Sequence, residues 1–224
     1  MSLISAGQLR RLAHPILLRY WLKRGTNRVT TARVGGFTLR VLPGVFHPKY
    51  FGSSLILANY LASLDLRGKS FLDMGTGSGI VGLFAARAGA RVTGVDINPQ
   101  SVRCATDNAV LAGFDIDFRQ SDLFSGLQGE RFDVIAWNPP FFPRPPRTMA
   151  EAALYAGDRH SVIERFARDC RTYLANDGRV ILVLSLDINV DALELVFQEQ
   201  AFSVRRASIR NWGFGEKMVV LEIQ

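Results

Sequence analysis

The hydrophobic positions of the chain change period along its length. From Ser70 onward, short apolar runs rich in β-branched and aromatic residues alternate with stretches whose apolar residues recur at helical spacing. The runs are Ser70–Met74, Arg91–Asp96, Ile116–Gln120, Phe132–Trp137 and Arg179–Leu184. Their alternation with helices is the pattern of βαβ units, which build a parallel sheet. Phe202–Ile209 and Lys217–Ile223 follow with too few residues between them for a crossover helix, so they pair as an antiparallel hairpin. The pattern predicts an α/β fold: an open, doubly wound sheet of about seven strands with an antiparallel C-terminal edge.

Local signals punctuate this pattern. Asn98-Pro99 supplies an N-cap followed by proline at the first helical position, and Gly113 closes that helix. Gly89 stops the helix that begins near Ile80. Ahead of the sheet, Arg28–Val34 and Phe37–Leu42 alternate apolar and polar residues around Gly35-Gly36, the signature of a β-hairpin with a primed turn. Residues 1–26 read as one amphipathic basic helix. The organisation expected is an N-terminal extension of helix and hairpin over residues 1–50 and one main domain over residues 51–224.

Composition narrows the class. With 224 residues, 48% hydrophobic and 21% charged, the chain suits one large core with a short appendage, and a disordered or fibrous protein is excluded. No apolar run approaches the ~20 residues that cross a bilayer, and Arg19 and Lys23 break the apolar stretch at Ile16-Leu17-Leu18 that a signal peptide would need. A cytoplasmic protein is expected. Cys104 and Cys170 stand in helical segments without a Cys-x-x-Cys or Cys/His cluster, so neither a metal site nor a disulfide scaffold is expected. Charge is unevenly spread: residues 1–64 hold nine Lys/Arg and no acid, whereas residues 65–224 carry 18 basic against 20 acidic residues. The positive excess of the first third makes it a candidate docking surface for RNA or an acidic partner.

Two motifs carry chemistry. In Phe71-Leu72-Asp73-Met74-Gly75-Thr76-Gly77-Ser78-Gly79 three alternating glycines run from a strand into a helix and let backbone amides approach a nucleotide-like ligand. Gly77 to Gly82 also satisfies G-x-G-x-x-G, with Asp96 19 residues after Gly77, so a dinucleotide-dependent oxidoreductase is one reading. The glycines, however, begin two residues after Asp73, and nothing downstream resembles a hydride-transfer site. The second motif, Asn138-Pro139-Pro140-Phe141, is delivered by the strand Phe132–Trp137 to the carboxyl edge of the sheet, where open α/β sheets bind ligands. The two prolines stiffen the turn, so the Asn138 side chain and the Pro139 carbonyl form a fixed pair of acceptors suited to a planar NH2 group. Phe141 is placed to stack on a flat acceptor. His47 and His160 are expected as structural or rim groups, and Trp21, Trp137 and Trp212 as packing residues. A non-catalytic binding module is a further class.

The coupling of these motifs resembles class I S-adenosylmethionine (SAM)-dependent methyltransferases, within the "methyltransferase small domain" group. That group includes release-factor glutamine N5-methyltransferases and RNA base N-methyltransferases. Val45-Phe46-His47-Pro48, Ala156-Gly157-Asp158 and Gly215-Glu216-Lys217-Met218-Val219-Val220 are similar to the glutamine enzymes. Leu42-Pro43-Gly44-Val45-Phe46 and Gly52-Ser53-Ser54-Leu55-Ile56-Leu57 are similar to ribosomal RNA guanine N2 enzymes. The resemblance implies a Rossmann-like fold with SAM as cofactor and S-adenosylhomocysteine as product. It implies cofactor-binding roles for Asp73, Gly75, Thr76, Gly77, Gly79, Asp96, Ile97, Asp122, Leu123 and Asn138. Asp73 would lie near the cofactor's amino group, Asp96 would accept the ribose hydroxyls and Asp122 would contact the adenine amino group. Asn138, Pro139, Pro140 and Phe141 would be catalytic, and no metal is implied. The expected reaction is N-methylation of a planar NH2 group on a macromolecule. A glutamine amide in a protein of the translation apparatus is the first choice, and guanine N2 or adenine N6 of RNA is the alternative.

Overall fold

The computed structural model describes residues 28–48, 52–212 and 216–224. The helix expected over residues 1–26, with Trp21, lies outside the described residues. The chain enters through a hairpin of β1 (Thr30–Val34) and β2 (Phe37–Val41), antiparallel with Val34 opposite Phe37. Gly35 and Gly36 have φ of +58° and +87°, the two positive values a primed hairpin turn demands. A Cβ on Gly35 would also fall 2.1 Å from the Phe84 ring, so glycine at this position serves packing as well as the turn. The inward positions Ala32, Val34, Leu39 and Val41 are buried in one cluster with Leu57 and Phe84.

The main sheet is formed by β3 (Ser70–Met74), β4 (Arg91–Asp96), β5 (Asp117–Gln120), β6 (Phe132–Trp137), β7 (Leu174–Ser185), β8 (Val204–Trp212) and β9 (Glu216–Ile223). Their spatial order is β5-β4-β3-β6-β7-β9-β8. The first five neighbours run parallel, while β9 pairs antiparallel with both β7 and β8. The helices are α1 (Ser53–Leu61), α2 (Ile80–Arg87), α3 (Pro99–Ala112), a single turn α4 (Met149–Ala152), α5 (Ser161–Cys170) and α6 (Val190–Gln198). Successive strand residues serve opposite faces: Phe71, Val134, Ala136, Ile181 and Val183 pack with Leu57, Leu83 and Phe84, whereas Leu72, Ile135, Trp137, Leu182 and Leu184 pack with Phe166, Leu193 and Phe197. Covering both faces is what makes these strands continuously apolar.

Three boundaries of the main sheet depart from the pattern by two residues or more. β7 starts at Leu174, five residues before Arg179, because the Asn176-Asp177-Gly178 stretch, which looks like a turn, is an irregularity inside the strand. There the register with β6 shifts between Phe132 and Val134, and Asp177 has φ +59°. β8 begins at Val204, since Ala201 at φ +59° ends α6 and Phe202 packs edge-on against Phe197. β8 then runs three residues past Ile209 across a second register shift between Arg206 and Ser208. The helix punctuation agrees with expectation: the Asn98 side chain accepts from Gln100 N, Pro99 follows it, and Gly113 ends α3 at φ +76°.

One buried side chain ties the hairpin to the sheet. Asn108 on α3 is fully buried; its Oδ1 accepts from Arg40 N at 2.8 Å, and its Nδ2 donates to the carbonyls of Arg40 and Ser78, both at 2.9 Å. Both sheet edges carry guanidinium groups. On β5, Arg119 pairs with Asp117 and Glu130; on β8, Arg205 pairs with Glu222 and Arg206 with Asp191 and Glu194. Cys104 and Cys170 are buried and unbridged, and burial pushes the Cys170 thiol up to about 12. Among the described residues no helix is long and apolar enough to cross a membrane.

Candidate active site

The chain leaves β3 for β4 on one side and reaches β6 on the other, so the carboxyl ends of β3, β4 and β6 flank the crevice where doubly wound sheets take ligands. A cavity of about 1160 Å³, its open mouth included, occupies this place. Gly75, Gly77 and Gly79 adopt φ of +66°, +55° and +84°, values at which an L side chain is strained. At Gly79 a Cβ would also lie 3.1 Å from Ala105 of α3. Thr76 N donates to Val95 O at 2.9 Å, which pins the loop to the end of β4.

Asp73 lies beneath this loop. It is 2% exposed, and its Oδ2 accepts from Thr76 Oγ1 at 2.7 Å and from Gly82 N at 2.9 Å. It therefore braces the turn from within and does not line the cavity. Burial, reinforced by the nearby Asp96, pushes its carboxyl up to about 7 against the opposing hydrogen bonds. The ordinary value is 3.8. Between these values the native chain holds a proton that the unfolded chain has released, so this group's contribution to stability falls as pH rises from about 4 to about 7. Asp73→Asn keeps an acceptor without the charge. Its melting temperature should gain on the wild type by on the order of 5–10 °C over that window. Melting curves at pH 4, 5.5 and 7.5 check this; parallel curves for the two proteins would refute it.

The other strand ends supply polar groups that do face the cavity. Asp96 Oδ2 accepts from Gly77 N and its Oδ1 from Asn98 N, both at 2.9 Å, and burial raises its carboxyl above the usual range. Ile97 follows on the rim, 41% exposed. Asp122 and Leu123 line the next side. Leu123 has φ +50°, held by a buried Ser121 whose Oγ donates to Leu123 O at 2.7 Å and accepts from Gly126 N at 2.9 Å. A strained non-glycine backbone of this kind is found where surrounding structure enforces it, often at functional sites. Asp122 Oδ2 accepts from Arg165 Nη2 of α5 at 2.8 Å, and Arg165 lines the same cavity.

After β6, Asn138 and Pro140 line the cavity, whereas Pro139, Phe141 and Gly79 are not among its lining residues. Asn138 Nδ2 donates to Ser53 Oγ at 2.9 Å and Ser54 Oγ at 3.0 Å, two buried hydroxyls at the start of α1. The Phe141 carbonyl accepts from His160 Nε2 at 3.0 Å, and Arg159 and His160 both have left-handed φ, +50° and +64°. His160 thus supports the turn, as expected of a structural group. Phe141 packs at 4.8 Å on Phe142, and Trp137 at 4.3 Å on Phe166. The basic, proline-rich stretch 142–147 leads into α4; Pro146, Met149 and Tyr155 close the far wall, with Arg144 over the Tyr155 ring at 3.9 Å. Sequence reasoning gave Ser53, Ser54 and Arg165 no place in the site. Among the described residues no group of three or more His, Cys, Asp or Glu is arranged to hold a metal.

Comparison with known proteins bears on this cavity. The family model described as "Methyltransferase small domain" matches residues 36–210. A candidate protein N5-glutamine methyltransferase of Methanocaldococcus jannaschii is 34% identical over 158 residues, 68% of this chain and 78% of that one. A release factor glutamine methyltransferase of Deinococcus radiodurans is 36% identical over 124 residues, 50% of this chain and 44% of that one. A 16S rRNA guanine N2-methyltransferase of T. thermophilus, solved with AdoMet and guanosine, superposes with a TM-score of 0.64 at 27% identity. The superposition covers 88% of this chain and 50% of that one.

Proposed function

Because the chain belongs to the methyltransferase small domain family, we propose that it transfers a methyl group from S-adenosylmethionine to a planar NH2 group of a macromolecule. The observation that carries this reading is the meeting of Gly75, Gly77, Asp96, Asp122 and Asn138 around one cavity. The residues present fit the cofactor. A Cβ on Gly77 would meet nothing nearer than the Gly75 carbonyl at 3.9 Å, Asp96 and Asp122 offer carboxylates to hydroxyl and amino donors, and Ile97 and Leu123 offer apolar contact to a flat base. Asp73 acts by holding the loop that carries these amides, and Gly79 and Thr76 fix its shape.

Bound there, SAM supplies a methyl carbon made electrophilic by a sulfonium whose charge disappears on transfer. The protein's task is to present the nitrogen. Asn138 Oδ1 and the Pro139 carbonyl accept the two N–H groups, drawing the nitrogen lone pair out of conjugation and toward the methyl. Pro139 and Pro140 keep these acceptors from drifting, so orientation lowers the barrier. The apolar lining residues Met74, Leu123, Trp137 and Met149 exclude water, which favours loss of charge in the transition state. The methylated nitrogen sheds its proton to water, so neither His47 nor His160 is assigned as a base.

The acceptor we favour is a glutamine amide of a protein of the translation apparatus, in keeping with the relatives named for that chemistry and with a cytoplasmic location. RNA guanine or adenine is the second reading, favoured by the nine basic residues among residues 1–64 and by the guanosine bound in the T. thermophilus neighbour. On either reading the extension of residues 1–50 is the docking side. Incubating the protein with radiolabelled SAM and cell extract treated with ribonuclease or with protease identifies the polymer: the treatment that abolishes incorporation names it, and no incorporation in untreated extract refutes the enzyme. Calorimetry should show S-adenosylhomocysteine binding that Asp96→Ala weakens by about 10- to 100-fold. Preferential binding of NADH would return the chain to the oxidoreductase reading.

A further inference from the structure

An asparagine side chain ends in two groups of nearly equal shape and opposite hydrogen-bonding sense, so a site that relies on its oxygen has to hold the amide one way round. At Asn138 the means of holding it come from α1, 85 and 84 residues away in sequence. Nδ2 carries two protons, and two hydroxyl oxygens receive them: Ser53 Oγ at 2.9 Å and Ser54 Oγ at 3.0 Å. Both serines are buried, at 7% and 8% exposure. We propose that Ser53 and Ser54 are positioning residues that consume both amide protons of Asn138 and leave Oδ1 as the group it offers to the cavity.

This inference rests on the methyl-transfer reading above and deepens it. With its donors spent, Asn138 meets an incoming group as an acceptor only, and a group without N–H or O–H to give finds no partner there. Selection for NH2 thus begins in the first turn of α1. The arrangement also explains two adjacent hydroxyls at buried helical positions, where alanine would serve packing equally well and has the higher helix propensity. A hydroxyl can donate as well as accept, and the reverse arrangement would turn the NH2 into the cavity. The two arrangements differ in which protons water reaches.

The test uses that difference. In full-length protein labelled with 15N-asparagine, the Asn138 side-chain signals are those missing from Asn138→Asp. Their protons should exchange with solvent at least about tenfold more slowly than those of exposed Asn176. Exchange as fast as that of Asn176 would overturn the inference. Ser53→Ala/Ser54→Ala should then speed the exchange and lower methyl transfer from radiolabelled SAM to cell extract by about 10- to 100-fold. S-adenosylhomocysteine affinity should change by less than about threefold. The single variants Ser53→Ala and Ser54→Ala, each sparing one bond, should give intermediate losses. Unchanged transfer in the double variant, or transfer, S-adenosylhomocysteine affinity and melting temperature falling together, would make the serines packing groups only and overturn the inference. If Asn138→Ala also leaves transfer intact, the methyl-transfer role of this corner fails with it; if Asn138→Ala alone abolishes transfer, that role stands without the serines.

Discussion

Asn138→Ala should lower methyl incorporation by about 100-fold or more while leaving the affinity for S-adenosylhomocysteine within about threefold of the wild type. The split follows from where the side chain sits. Asn138 lines the cavity at the end of β6, beside the end of β3 that carries the glycine loop, and its amide is held by Ser53 and Ser54. Removing it deletes an acceptor that draws on the nitrogen's hydrogens most strongly as the lone pair swings toward the methyl. That interaction belongs to the transition state, so the rate suffers and ground-state binding of the cofactor product does not. Asn138→Asp keeps an oxygen for the NH2 group but cannot donate to the serines, and should retain more activity than alanine. Initial rates at saturating SAM, paired with calorimetry, decide the matter. Equal rates for wild type and Asn138→Ala would remove the residue from the mechanism.

The second large effect is on stability. Asn108→Ala should lower the melting temperature by about 6–12 °C, from a loss of roughly 3 kcal/mol. Asn108 is fully buried and makes three hydrogen bonds of 2.8–2.9 Å to two separate segments, β2 at Arg40 and the glycine loop at Ser78. Alanine would strand the Arg40 amide and the Ser78 carbonyl away from water and open a cavity under α3. Because one of those bonds reaches the glycine loop, S-adenosylhomocysteine affinity should fall as well, which separates this variant from an ordinary core truncation. Asn108→Asp, which loses the donor and buries a charge, should be worse still. A melting temperature within about 1 °C of the wild type would show that the amide is dispensable.

The parts of the molecule that were legible in sequence are those whose physics is local. The βαβ alternation, the positive-φ pair Gly35-Gly36, the cap at Asn98-Pro99 and the glycine run after Asp73 each follow from a few adjacent residues. The same holds for Asn138-Pro139-Pro140-Phe141. What stayed hidden depends on contacts across the chain. Ser53 and Ser54 are ordinary helix-start residues until β6 brings Asn138 to them. Asn108 sits in an unremarked stretch of α3, 68 residues from its partner Arg40, and Arg165 is separated from Asp122 by 43. Local signals also misled in one place: Asn176-Asp177-Gly178 has turn chemistry, yet the backbone spends it on an irregularity within β7, because Phe132 and Leu174 still pair beyond it. The bonds of Asp73 to Thr76 and Gly82 inside the protein are likewise not written in the glycine motif itself.

The arginines on β5 and β8 bear on how such a sheet survives in a crowded solution. An open sheet leaves a row of unpaired amides and carbonyls at each flank, and two such flanks could zip together into a polymer. Seating a second molecule against β8 would bring its Arg205 and Arg206 against like charges and would disturb their pairs with Glu222, Asp191 and Glu194. Giving up those pairs is the cost that edge-to-edge association at β8 would carry.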